Sequence, residues 1–196
     1  AARPYSIYAS NEQFQFSLYT LGQGSFAIED VMIEDTPIEN FEDITYEIYE
    51  PGEQVTLFPD NVITSVEVGQ IELFGPNEPE FSGASGPYNA NPTQTLCNRL
   101  EVDVYLPLGL YLANDSGGLD NLTITALFEY REIDDAGDPV GSWVTLNNFS
   151  KTLKTNTPQR FTVGANVTQG RYQVRGVRVN NKNTNAKAAN VLQWVA

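Results

Sequence analysis

Apolar side chains in this sequence recur at every second residue, and no window carries a sustained helical stripe. That period permits strands that bury one face and little else. It is seen at residues 13–19 (QFQFSLY), 45–49 (TYEIY), 53–58 (EQVTLF) and 64–68 (TSVEV). It returns at 100–106 (LEVDVYL), 122–130 (LTITALFEY), 142–146 (SWVTL), 160–163 (RFTV) and 172–179 (YQVRGVRV). Turn chemistry separates the runs: Leu21-Gly22-Gln23-Gly24, Glu50-Pro51-Gly52, Asp115-Ser116-Gly117-Gly118 and residues 134–139 (DDAGDP). The expectation is an all-β chain, with at most one helical turn between Ala186 and Leu192. Aromatics dominate the burial energy of β-sandwiches, so Trp143, Tyr105, Phe128, Phe161 and Tyr172 are the expected core.

One stretch breaks the pattern. Residues 76–98 are rich in Pro and Gly and hold no apolar period, which predicts a linker or long loop. Charge changes at the same place. Residues 1–90 carry one basic side chain, Arg3, against sixteen acidic ones, whereas residues 91–196 carry ten against nine. The whole net charge of −14 therefore arises in the first half. These shifts divide the chain into an acidic β module (1–75), the break (76–98) and a near-neutral β-sandwich (99–196). An acidic surface disfavours nucleic acid and anionic membrane, and no apolar run approaches the ~18 residues of a membrane-spanning helix. Neither partner is expected. The chain opens on Ala1-Ala2-Arg3-Pro4 without an initiator Met or a signal-peptide pattern, and closes in mid-strand on Trp194-Val195-Ala196. A segment of a longer polypeptide is expected.

Residue types restrict the chemistry further. The chain has no histidine and a single cysteine, Cys97. Ser-His-Asp and Cys-His pairs, an internal disulfide framework and Cys-based zinc sites are thereby excluded. Carboxylate pairs exist at Glu29-Asp30, Glu34-Asp35, Glu42-Asp43 and Asp134-Asp135. Neighbours on a strand point to opposite faces, so these dipeptides are poor glycosidase pairs. The clusters Asp134/Asp135/Asp138 and Asn114/Asp115/Asp120/Asn121 suggest calcium but lack the spacing that wraps oxygens around the ion. Four N-x-S/T triplets, at Asn114, Asn121, Asn148 and Asn166, are weak signals in a chain this rich in Asn and Thr. Arg171, Arg175 and Arg178 sit among aromatic and β-branched residues, where pairing within the molecule or between subunits outweighs nucleic-acid contact. No catalytic, cofactor-binding or metal residue is expected, and an enzyme ranks third.

Several motifs in order resemble one family. They are residues 21–38 (LGQGSFAIEDVMIEDTPI, with Glu34 where the family often has Gly), 46–52 (YEIYEPG), 85–88 (SGPY) and 100–111 (LEVDVYLPLGLY). Residues 130–143 (YREIDDAGDPVGSW), 170–175 (GRYQVR) and 192–194 (LQW) complete the set. Together they resemble the host-specificity protein J family, the tail-tip hub proteins of long-tailed, lambda-like phages. The resemblance implies a small hub-type β module followed by an immunoglobulin-like or fibronectin-like β-sandwich. It implies a structural component of the tail tip that supports assembly and, indirectly, host adsorption. Expected partners are two further copies in a full-length homotrimer, other tail-tip and tail-tube proteins, and a host receptor reached through other domains. The expected location is the virion, after synthesis in the bacterial cytoplasm from a phage or prophage gene. The competing reading is a receptor- or carbohydrate-binding β-sandwich.

Overall fold

The computed structural model describes residues 4–59, 61–65 and 67–196; Arg3 and Val66, both used in the sequence reading, lie outside them. The chain is all-β: among the described residues there are fourteen strands, one 3-10 turn and no α-helix. It forms two compact units, residues 1–5 with 15–62, and residues 6–14 with 63–196.

The larger unit is a β-sandwich. Its strands are the hairpin β1 (Tyr5–Ala9) and β2 (Glu12–Phe16), which begins in the other unit's first residues, then β5 (Ile71–Glu72), β6 (Ser85–Asn89) and β7 (Cys97–Leu106). They continue with β8 (Tyr111–Ala113), β9 (Leu119–Asp120), β10 (Leu122–Ile133), β11 (Val144–Leu153) and β12 (Gln159–Arg178), and close with β13 (Ala188–Ala189) and β14 (Gln193–Val195). The two-residue strands β3 (Met32–Ile33) and β4 (Thr36–Pro37) belong to the smaller unit.

β12 joins the two sheets. Its first half pairs antiparallel with β7, which continues through β14 to β5. Its second half pairs with β10, which pairs with β11, while β6 adds on the other side. The register slips between Asn166 and Gly170, where the strand passes from one sheet to the other. Small residues permit that route: a Cβ on Gly164 would lie 2.6 Å from the Leu100 carbonyl oxygen. Alternation then fills the interior. Leu100, Val102, Val104 and Leu106 of β7 face Ile124, Ala126 and Phe128 of β10, with Trp194 between them. Fully burying a side chain of this size stabilises the fold by about 1.5–3 kcal/mol.

Phe128, Phe161 and Tyr172 are buried as expected, but Tyr105 and Trp143 are not core residues. The pattern placed Tyr105 between the inward Val104 and Leu106, so its side chain takes the outer face. Trp143 precedes β11 and lies on the sheet surface. The tryptophan of the core is Trp194, fully buried, with ring centroids 5.6 Å from Phe128 and 5.9 Å from Tyr88. Residues 186–192 hold a short strand instead of a helical turn, because Ala188 and Ala189 pair with β8. Within the Pro/Gly-rich break, Ser85–Asn89 form β6, and Asn91 is buried. Asn91 donates to Thr95 O (2.7 Å) and accepts from Tyr172 N (3.0 Å), tying the break to β12.

The smaller unit holds little regular structure. Glu34 (φ +54°) turns the β3–β4 pair, and Ile38 at the start of the 3-10 turn donates its N–H to Val31 O at 2.9 Å. Tyr5 stacks on Phe16 at 4.8 Å and meets Phe58 edge-on. The turn at Glu50-Pro51-Gly52 forms as expected, closed by Glu53 N to Glu50 O at 3.0 Å. The strands predicted at 45–49 and 53–58 do not form, and the strand predicted at 13–19 stops at Phe16. Of 64–68, the described residues join no ladder; Ser65 instead bonds Ala196 O and Asn89 O. An alternating pattern marks a face for burial, but a strand also needs an edge to pair with, and residues 45–49 and 53–58 pair with none among the described residues.

Candidate functional site

The carboxylate pairs lie on the surface. Glu29, Asp30, Glu34, Asp35, Glu42, Asp43, Asp134 and Asp135 are all exposed. The Asp-rich turns are occupied by their own backbone. Asp134 Oδ1 accepts from Asp138 N at 2.9 Å, and Asn114 Oδ1 accepts from Ser116 Oγ and Gly118 N at 2.8 Å each. Among the described residues no cluster of His, Cys, Asp or Glu could hold a metal ion. Glu47 is drawn below the usual carboxylate range by hydroxyl donors from Tyr49 and Thr56, but it stands fully in solvent, where such an acid gains no catalytic leverage. Of the four sequon asparagines, Asn121, Asn148 and Asn166 are exposed, and Asn166 Oδ1 accepts from Arg99 at 3.0 Å.

The three arginines of the second half of β12 all find partners within the molecule. Arg171 is buried and donates to three backbone carbonyls: Asn91 O (3.3 Å), Asp134 O (2.8 Å) and Asp135 O (3.1 Å). It thus clamps the Asp-rich turn against the break. Arg175 pairs with Glu129 at 2.7 Å and stacks on Trp143 at 4.1 Å, with Arg131 also stacked on that ring at 4.6 Å. Arg178, on the inward face with Tyr172 and Val174, is almost wholly buried and donates to Asn190 O at 2.9 Å. Burial lowers its pKa, opposed by the charges of Glu78 and Glu72. The expected intramolecular role is what the geometry displays.

A second polar network holds the N-terminal hairpin. Tyr8 N donates to Thr162 Oγ1 (2.8 Å), which donates to Asp103 Oδ1 (2.5 Å), and Arg160 N donates to Asn11 Oδ1 (3.0 Å). The Arg160 guanidinium lies between the Tyr8 and Tyr105 rings, 4.7 Å and 5.6 Å from their centroids. Its Nε stands 3.5 Å from Asp103 Oδ2 without the alignment of a hydrogen bond, so the attraction there is purely electrostatic. Burial pushes the Asp103 carboxyl up, against the opposing pulls of Thr162 and Arg160. Periodicity alone could not reveal this network, since its members are 59 to 154 residues apart.

What remains open to a partner is apolar surface and an unpaired edge. In the smaller unit, Tyr19, Leu21, Phe26, Met32 and Ile48 expose between 47% and 78% of their area. Single exposed apolar residues are normal, but a run of them within one small unit marks an interaction surface. In the sandwich, β11 pairs with β10 alone among the described residues and ends its sheet.

A sandwich of two antiparallel sheets sharing one long strand around a buried tryptophan defines a β-sandwich module of the fibronectin type III kind. Residues 83–196 match the family model for the FNIII-A domain of tip attachment protein J. The chain belongs to that family. Membership gives it a structural role at the phage tail tip, within the virion and in association with other tail components. No match among curated proteins was found. The family does not indicate catalysis.

Proposed function

We propose that this chain is an assembly segment of the tail tip. In this reading the sandwich is the rigid support, and the acidic module, taken as residues 1–75, docks onto neighbouring tail-tip and tail-tube proteins in a full-length homotrimer. Host adsorption then depends on it indirectly, through correct assembly of the tail end. The observation that carries the reading is the apolar surface of the smaller unit: side chains such as Tyr19, Leu21 and Phe26 stand in solvent although the unit is small and acidic. Removing that surface from water at roughly 25 cal/mol per Å² would drive association. No residue is assigned a catalytic, cofactor-binding or metal-binding role. The competing carbohydrate-binding reading needs an exposed aromatic face lining a groove. Trp143 instead stacks on Arg131 and Arg175.

The test is a photo-cross-linking residue at Phe26 or Ile48 in the assembled virion. Adducts to other tail proteins or to further copies are expected, with none from the same probe at exposed Asn121. Equal and weak labelling from all three positions would overturn the assembly reading.

A further inference from the structure

Both sheets of the sandwich end on the same side, and the two edges are treated differently. The first half of β12 is the edge of one sheet, and the N-terminal hairpin covers it: Asn11 accepts from Arg160 N, and Tyr8 donates its N–H to Thr162. β11 is the edge of the other sheet, ten residues long and without proline. A long uncovered edge presents unpaired backbone donors and acceptors, ready for another strand. Beside it runs a groove of about 370 Å³, lined by Tyr8, Ser10, Asn148, Ser150 and Phe161 among others.

The edge strand itself carries charge of one sign only. No Asp or Glu occurs after Asp138. Lys151 and Lys154 lie on β11 and just past it, and Lys154 is exposed with no ion pair among the described residues. The same sequence contains a segment of complementary character. Residues 44–58 carry Glu47, Glu50 and Glu53, and no Lys or Arg occurs from residue 4 to residue 98. Its arms alternate apolar and polar residues about the turn at Pro51-Gly52, yet neither arm belongs to a ladder. Ile44, Tyr46 and Ile48, one face of an extended arm, are exposed.

We propose that the β11 edge receives the first arm of the 44–58 segment, residues 44–49, from a second copy of this chain as an added strand. Backbone hydrogen bonds supply the affinity in such strand addition, and alternate side chains supply the register. The apolar face of the arm covers the groove beside β11, while Glu47 and Glu53 meet Lys151 and Lys154. Copies are thereby linked sheet edge to acidic arm. The inference rests on the assembly reading only in that copies must meet at the tail tip.

The experiment uses the whole chain. Amide hydrogen exchange at residues 144–153 is followed against protein concentration, alongside sedimentation. Protection there should grow with concentration and fade with added salt. Reversing both charges (Lys151→Glu with Lys154→Glu) should weaken association about tenfold at low salt, as two solvent-screened attractions become repulsions. Combining it with Glu47→Lys and Glu53→Lys should restore it. All four positions lie outside the buried core, and tryptophan fluorescence checks that the sandwich of each variant folds. A chain that stays monomeric at its highest soluble concentration overturns the proposal. So does protection independent of concentration, which would mean a chain closing on its own edge, and so does association indifferent to the reversals. If virion cross-links from Phe26 survive the Lys151→Glu/Lys154→Glu change, the assembly reading stands and this inference alone falls.

Discussion

Replacing Asn91 by Ala tests whether the Pro/Gly-rich break is part of the sandwich. Asn91 is only 2% exposed. Its Nδ2 donates to Thr95 O at 2.7 Å, Thr95 Oγ1 at 3.2 Å and Gly170 O at 3.4 Å, and its Oδ1 accepts from Tyr172 N at 3.0 Å. Truncation leaves the Tyr172 N–H buried without a partner, a loss of about 1–3 kcal/mol. Thr95 is half-buried and can turn partly to water, so its share is smaller. A total near 3 kcal/mol is expected, or roughly 6–12 °C in Tm for a domain of this size. Both tryptophans lie in the sandwich, so urea unfolding followed by their fluorescence reports on that unit alone. The midpoint should fall with the m value unchanged, the sign of lost stability without a change in the size of the folding unit. Asn77→Ala is the control. It removes a similar pair of bonds to Lys182, but at an exposed position, and should cost less than about 1 kcal/mol. A loss below about 0.5 kcal/mol for Asn91→Ala would refute the reasoning. So would a second transition, because residues 85–95 would then unfold on their own.

The remaining expectations use the same assay. Trp194→Ala should cost about 3–5 kcal/mol by emptying the centre of the core, whereas Trp143→Ala, which loses only surface stacking on two arginines, should cost about 1 kcal/mol. Gly109→Ala should cost several times kT or prevent folding, since Gly109 has φ +74° and an added Cβ would lie 2.1 Å from the Thr155 carbonyl oxygen. The Asp103 carboxyl is pushed up by burial, so the folded state holds its proton more tightly than the unfolded chain does. Its stabilising effect is therefore complete below the unfolded pKa and is lost as pH rises through the folded one. Asp103→Asn should flatten stability against pH just above the ordinary carboxylate range, and an unchanged slope there would contradict the burial argument.

How far the sequence could be read follows from what each signal encodes. Period-2 alternation reports which face is to be buried. In β7, β10 and the end of β12 that was enough, because each strand finds its neighbour within the chain. It also gave the inward set Tyr172, Val174 and Arg178, although a buried arginine there is visible only once Asn190 O is seen beside it. Residue type alone points Trp143 to the core. Its position just before a strand, with Arg131 and Arg175 on the neighbouring outer face, sends it to the surface. Trp194 shared the same alternation as the other strands, but side-chain pattern does not state that β14 pairs between β7 and β5. The break was unreadable for a different reason. β6 holds a Gly-Pro pair and no apolar period, and it is fixed by Asn91 and by pairing with β12, both long-range effects.

The smaller unit shows the converse case. Residues 45–49 and 53–58 carry as clear a strand period as β7 does, and the turn between them forms, yet no ladder follows. A buried strand face gains about 25 cal/mol for each Å² taken from water, but only where a partner surface exists to exclude that water. Within this chain Phe58 alone of the two arms is buried, against Tyr5, while Tyr46, Ile48 and Leu57 stay exposed. Their acidic neighbours Glu47, Glu50 and Glu53 keep such a segment soluble and resist pairing with its own kind. An edge of opposite charge, such as β11 with Lys151 and Lys154, removes that resistance. The mismatch between pattern and structure is therefore informative in itself: a strand signal without a ladder is what the proposed contact with a second copy would leave in a single chain.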